Sequence, residues 1–149
     1  MCSSDLDAFR KEGSGYLAIQ TSRPQTIGYG LADSPLLQLA WIAEKVYEWT
    51  DLPVDRDQLL TTVSLYCFTG CGATAAHTLY EQAHSSDWGA PPAVPQGFAV
   101  FGADATVRKL VPAPPGARWT EFARGGHFPA MEAPAQLAAD LRAFFWPLR

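Results

Sequence analysis

The chain has 149 residues, 48% apolar and 17% charged, the composition of one globular domain rather than of a disordered tail or a coiled coil. Eleven Lys and Arg against fifteen Asp and Glu give a net charge of −4, and no basic run occurs, which excludes a nucleic-acid phosphate backbone as the expected partner. Twelve Gly and twelve Pro announce many element boundaries, while three Cys are too few for a disulfide scaffold.

The chain opens Met1-Cys2-Ser3-Ser4-Asp5-Leu6. This segment has neither the basic n-region nor the apolar h-region of a signal peptide. It reads as a non-native scar, the translation of a sequencing adapter, with the natural chain expected to continue upstream. Setting it aside leaves Cys67 and Cys71, expected as reduced thiols in a cytoplasmic setting.

Residues 7–92 read as helical with Pro and Gly punctuation. Ser34-Pro35 is a helix start, Ser as the cap and Pro at the first helical position. Leu36, Leu39, Ala40, Ala43, Val46 and Tyr47 then keep helical spacing as far as Trp49. Asp51 to Asp55 form a Pro-containing break, Asp55-Arg56-Asp57 reads as a solvated turn, and a second helix is expected near Asp57. Leu59 to Ala76 carries no formal charge, yet its four Thr, one Ser and two Gly make it too polar for a membrane span. Buried helices broken at Gly70 or Gly72 are the expectation. Cys67 and Cys71 with His77 and His84 invite a zinc reading, but Gly70 and Gly72 sit among apolar neighbours, and packed thiols are the simpler account.

A Pro-rich link, Ala90 to Pro95, leads into Gly97-Phe98-Ala99-Val100-Phe101, a short apolar run that suits a buried parallel strand. Val111 to Gly116 is a second Pro-rich connection, and Arg118 to Ala123 a second strand. Pro134 then starts a last helix with Leu137, Leu141, Phe144 and Phe145 on one face. Strand, connection, strand, helix is α/β grammar.

Two strand ends carry chemistry. Asp104 follows the first strand and His127 follows the second, 23 positions later, behind Gly125-Gly126. In open α/β sheets the reacting groups sit beyond the carboxyl ends of the strands. A carboxylate there accepts a hydrogen bond from one imidazole nitrogen and leaves the other free to take a proton. Read in isolation, a strand-end Asp is as well explained as a helix cap and a lone His as a surface residue.

Five stretches, in order, carry a resemblance. Gly125-Gly126-His127-Phe128-Pro129-Ala130-Met131-Glu132-Ala133-Pro134 resembles the histidine loop of epoxide hydrolases of the α/β-hydrolase fold. Gln25-Thr26-Ile27-Gly28-Tyr29-Gly30-Leu31-Ala32-Asp33-Ser34-Pro35 looks like the lid signature of the same family, and Ala40-Trp41-Ile42-Ala43-Glu44-Lys45 continues it. Leu65-Tyr66-Cys67-Phe68-Thr69-Gly70 and Val94-Pro95-Gln96-Gly97-Phe98-Ala99-Val100-Phe101 complete the set. The match is to the microsomal-type branch and runs from about Gly13 to Arg149.

The resemblance implies an α/β fold, the C-terminal portion of an α/β-hydrolase with a helical lid: 7–92 lid, 93–149 end of the core. It implies hydrolysis of an epoxide to a vicinal diol. An aspartate, expected upstream of this chain, attacks the epoxide and forms an alkyl-enzyme ester. Two lid tyrosines, matched by Tyr16 and Tyr80, donate to the epoxide oxygen; a histidine, matched by His127 and oriented by Asp104, activates the water that hydrolyses the ester. A phenol with a pKa of about 10 is protonated at neutral pH and suited to that donation. The implied partners are a small-molecule epoxide and water, with no metal and no organic cofactor. The chain departs from the family at Gly102, where Pro is usual, and at Cys67, where Trp is usual. A serine esterase or a dehalogenase would share the Asp104–His127 relay, and a non-catalytic lid-type binding module is the reading from another class.

Overall fold

The computed structural model describes residues 9–86, 93–104 and 113–149. A π-helical turn, Phe9–Gly13, precedes five helices: α1 (Gly15–Ser22), α2 (Pro24–Asp33), α3 (Pro35–Trp49), α4 (Arg56–Thr69) and α5 (Gly72–His84). Strands β1 (Gly97–Phe101) and β2 (Arg118–Phe122) follow, then α6 (Pro129–Glu132), α7 (Pro134–Phe145) and a 3-10 turn at Trp146–Leu148.

The helix starts obey local chemistry. The Ser34 hydroxyl accepts the Leu37 N–H at 3.2 Å, capping α3. The Asp55 carboxylate accepts the Gln58 N–H at 3.0 Å, so Asp55 caps α4, and Asp55-Arg56-Asp57 is a helix start rather than a solvated turn. The break between α4 and α5 falls at Gly70, whose φ of +64° lies where only glycine is unstrained. The two helices meet at a bend of 93°, and no single helix among the described residues is long and apolar enough to cross a membrane.

The chain divides into two compact units. The first holds the described residues up to Glu44 and from Leu59 to residue 86. In it α5 packs on α1 and α2, with Leu31 and Ala76 buried at the contact. Gln20 is 8% exposed, and its Nε2 donates to the Ala76 carbonyl at 3.3 Å, so the buried amide is not left unpaired. Leu59 and Val63 are the buried positions of α4, whereas Leu65 is 61% and Phe68 91% exposed, so that helix is buried along one side only.

The second unit holds Lys45–Gln58 and the described residues from 93 onward. The end of α3 and the turn after it group with the strands, because their backbone is bonded to the segment that follows β2. β1 and β2 pair in parallel, with Gly97 opposite Arg118 and Phe101 opposite Phe122. Two cross-strand aromatic pairs mark the register, Phe98 with Trp119 at 5.5 Å and Phe101 with Phe122 at 4.6 Å between ring centroids. Val100 and Phe101 are buried. Asp140 of α7 accepts from Arg118 at 2.6 Å and from the Thr120 hydroxyl at 2.9 Å, tying that helix to β2.

The apolar stripe of α7 is only partly used. Phe144 packs where a Gly97 side chain would stand, but Leu141 is 47% and Phe145 56% exposed.

Burial separates two predictions on α4. Leu59→Ala, at 3% exposure, should cost about 3 kcal/mol in denaturant unfolding. Phe68→Ala should stay within about 0.5 kcal/mol. Equal midpoints for the two variants would contradict this packing.

Candidate active site

Parallel pairing of β1 and β2 puts both strand ends at the same edge, and the chain turns there twice. After β1, Asp104 donates its N–H to the Phe101 carbonyl at 3.1 Å, and Ala103 donates to the Gly125 carbonyl at 2.9 Å. The second bond joins the two turns directly. Gly102 stands where the turns approach: a Cβ there would lie 2.8 Å from the Ala123 carbonyl carbon, so a larger residue would push the turns apart. The departure at Gly102 therefore belongs to this close approach. Gly125 has φ +101°, open to glycine alone, and it aims the next residues back across the strand end.

The result brings Asp104 and His127 together. His127 Nδ1 lies 3.4 Å from Asp104 Oδ2, with the imidazole side chain 54% and the carboxylate 21% exposed. Trp49 meets the imidazole edge-on at 5.0 Å, and Phe128 meets it at 5.1 Å with ring planes 86° apart. The imidazole thus has an acid at one nitrogen and aromatic walls beside it, a setting that can receive and pass on a proton.

Each backbone N–H from Gly125 to Phe128 has a partner in the same unit. Gly125 donates to Asp51 Oδ2 at 2.9 Å, Gly126 to Glu132 Oε2 at 2.9 Å and Phe128 to Glu132 Oε1 at 3.1 Å. His127 itself donates to the Trp49 carbonyl at 2.9 Å. Arg124 closes the frame with an ion pair to Asp51 at 2.7 Å. In sequence Trp49 reads only as core or pocket wall, and nothing there marks Asp51 or Glu132. Asp51 lay in a stretch read as a break, and Glu132 was only one letter of a motif. The one available signal was that motif's spacing, with Glu132 five residues after His127.

Tyr16 and Tyr80 lie in the other unit. Tyr16 is half-buried on α1 and Tyr80 half-buried on α5, and these two helices pack on each other. The Tyr80 ring stacks on His84 at 4.1 Å, and His84 Nδ1 is 2.8 Å from the Tyr80 carbonyl oxygen. Cys67 and Cys71 are free, half-buried thiols, and His77 is hydrogen-bonded to Gln25 at 3.0 Å. No group of three His, Cys, Asp or Glu able to hold a metal ion occurs among the described residues.

Asp51 carries a prediction of its own. The hydrogen bond from Arg124, then that from Gly125, hold its carboxyl below the ordinary 3.8. A carboxyl depressed in the folded chain stabilises it above the unfolded value, and that contribution is lost as pH falls through the lower folded value. Carbon-detected titration of Asp51 should place its midpoint below 3.8 in the folded chain and raise it toward the ordinary value in Arg124→Gln, with the Gly125 N–H still holding part of the depression. A midpoint unchanged by that substitution would contradict the ion pair.

No family model matches the chain. Among known proteins, it is 42% identical over 162 residues to a candidate epoxide hydrolase of Stigmatella aurantiaca, covering 98% of this chain and 36% of that protein. It is 35% identical to epoxide hydrolase 1 of Sus scrofa, covering 88% of this chain and 34% of the relative. The structure matches that of an enantioselective mutant of the epoxide hydrolase from Aspergillus niger with a TM-score of 0.77 and 34% identity, over 97% of this chain and 38% of that one. The chain spans about a third of the length of the curated relatives it matches.

Proposed function

The chain belongs to the epoxide hydrolase family of the α/β-hydrolase fold, and on that premise we propose that it supplies the water-activating pair and the oxygen-binding donors of an epoxide-opening site. The observation that carries the reading is the approach of His127 Nδ1 to Asp104 Oδ2, 3.4 Å apart at the ends of two paired parallel strands. The attacking aspartate is not assigned to any residue of this chain.

Two steps define the reaction. In the first, a carboxylate attacks an epoxide carbon, the carbon–oxygen bond breaks, and the alkoxide takes a proton from a tyrosine hydroxyl. Tyr16 and Tyr80 are the donors. In the second, His127 takes a proton from water, and the hydroxide adds to the ester carbonyl. Collapse of the adduct expels the second alkoxide, which takes the proton of the newly formed carboxyl group, releasing the diol and restoring the carboxylate; the imidazolium proton returns through water to the tyrosinate left by the first step. Asp104 holds the ring and stabilises the imidazolium that forms. An esterase or a dehalogenase would use the same His127–Asp104 pair. The tyrosine pair and the family of the relatives favour the epoxide.

The test places this chain in the register of the Stigmatella aurantiaca relative, so that a complete enzyme is assayed. His127→Gln should form the ester but not hydrolyse it, leaving one turnover and an adduct visible by intact mass spectrometry. Tyr16→Phe and Tyr80→Phe should each slow adduct formation by about 2–4 kcal/mol of barrier. No adduct in His127→Gln together with normal rates in the tyrosine variants would defeat the assignment.

A further inference from the structure

We propose that Glu132 is the positioning residue for His127: its carboxylate sets the backbone of residues 125–128 and thereby where the imidazole stands. The proposal rests on the reading of His127 as the base, and it concerns a residue that touches no reacting atom.

Glu132 is the last residue of α6 and only 8% exposed, an unusual place for a carboxylate. Four backbone N–H groups surround it. Oε2 accepts from Asp51 at 2.7 Å, Leu52 at 3.0 Å and Gly126 at 2.9 Å, and Oε1 accepts from Phe128 at 3.1 Å. Two of the donors come from the turn after α3 and two from the histidine loop. The carboxylate therefore joins segments about eighty positions apart in the chain.

His127 sits between the two loop amides that this one group holds, and its own N–H is tied to the Trp49 carbonyl at 2.9 Å. Its Cα is fixed without help from its side chain. The side-chain torsions then have only to meet Asp104 at 3.4 Å and the Trp49 edge at 5.0 Å. A separation of 3.4 Å is at the long limit of a hydrogen bond, so a loop shift well under 1 Å decides whether the pair engages.

Only a carboxylate meets this demand. It is acceptor-only on both oxygens, whereas a glutamine must turn an NH2 toward either the Phe128 N–H or the three donors at the other oxygen. The charge also strengthens each bond relative to a neutral acceptor.

The test reads His127 directly in the 149-residue chain, by nitrogen-15 shifts of its ring at a pH where the imidazole is neutral. It adds amide exchange at Asp51, Leu52, Gly126 and Phe128. In the unaltered chain these four amides should be protected as a set, and the His127 ring should favour one tautomer. In Glu132→Gln the four should exchange at least about tenfold faster. The His127 shifts should move toward those of free histidine while His77 and His84 keep theirs. A second variant replaces Phe128 by phenyllactate, a backbone ester that deletes the N–H donated to Oε1 while leaving every side chain in place. It should move the His127 shifts in the same direction.

Unmoved His127 shifts in a folded Glu132→Gln chain overturn the proposal, as do four unprotected amides in the unaltered chain. If Glu132→Gln does not fold, the ester variant decides in the same way. Shifts that move as expected, alongside a complete enzyme that opens no epoxide, would leave Glu132 as the positioning residue and remove the reading of His127 as base.

Discussion

A single buried carboxylate, accepting four backbone N–H groups, ties the turn after α3 to the loop that follows β2. Backbone donors taken out of water must find acceptors or cost about 1–3 kcal/mol each. A loop that doubles back after a strand, as 125–128 does, has no ladder or helix to supply them. Glu132 accepts from two amides of the loop, and Asp51 and the Trp49 carbonyl from one each. The same demand explains why the end of α3 belongs with the strands although it lies among helices in sequence. Its carbonyl and the amides after it complete the accounting.

The strands supply direction and the loop supplies position. Parallel pairing in the register Phe101 opposite Phe122 brings two strand ends to one edge. The bond from Ala103 to the Gly125 carbonyl at 2.9 Å keeps the two turns together. The His127–Asp104 contact itself, half exposed on the histidine side, adds little to stability, since solvent screens such a pair. The imidazole it meets is already placed by its backbone, through the His127 N–H on the Trp49 carbonyl at 2.9 Å. The Asp51–Arg124 pair acts similarly from outside, with the guanidinium side chain 63% exposed and the carboxylate drawn toward the Gly125 amide.

The helical unit follows a different logic. Its helices pack through small residues and a few apolar contacts, with Gln20 bonded across to α5 at 3.3 Å. Tyr16 and Tyr80 sit on two helices in mutual contact, so their place depends on helix packing rather than on loop hydrogen bonds. Substitutions in this unit should therefore move the tyrosines through packing volume, and substitutions in the other should move His127 through bonding.

By itself the sequence determined whatever depends on local rules. The Ser34-Pro35 start, a break at Gly70 or Gly72, the run Gly97 to Phe101 and the strand ends bearing Asp104 and His127 were all legible there. Caps, positive φ and apolar periods act between near neighbours, and the family resemblance rests on the same short strings. Tertiary structure alone decided the role of Asp51 and Glu132 and the grouping of residues 45–58 with the strands. Their partners are backbone N–H groups, which almost every residue owns, so no residue type marks the far end of the bond. It also decided that Leu141 and Phe145, on a sound helical stripe, stand 47% and 56% exposed. Periodicity tells which side of a helix is apolar, but only the neighbouring elements tell how much of that side is covered.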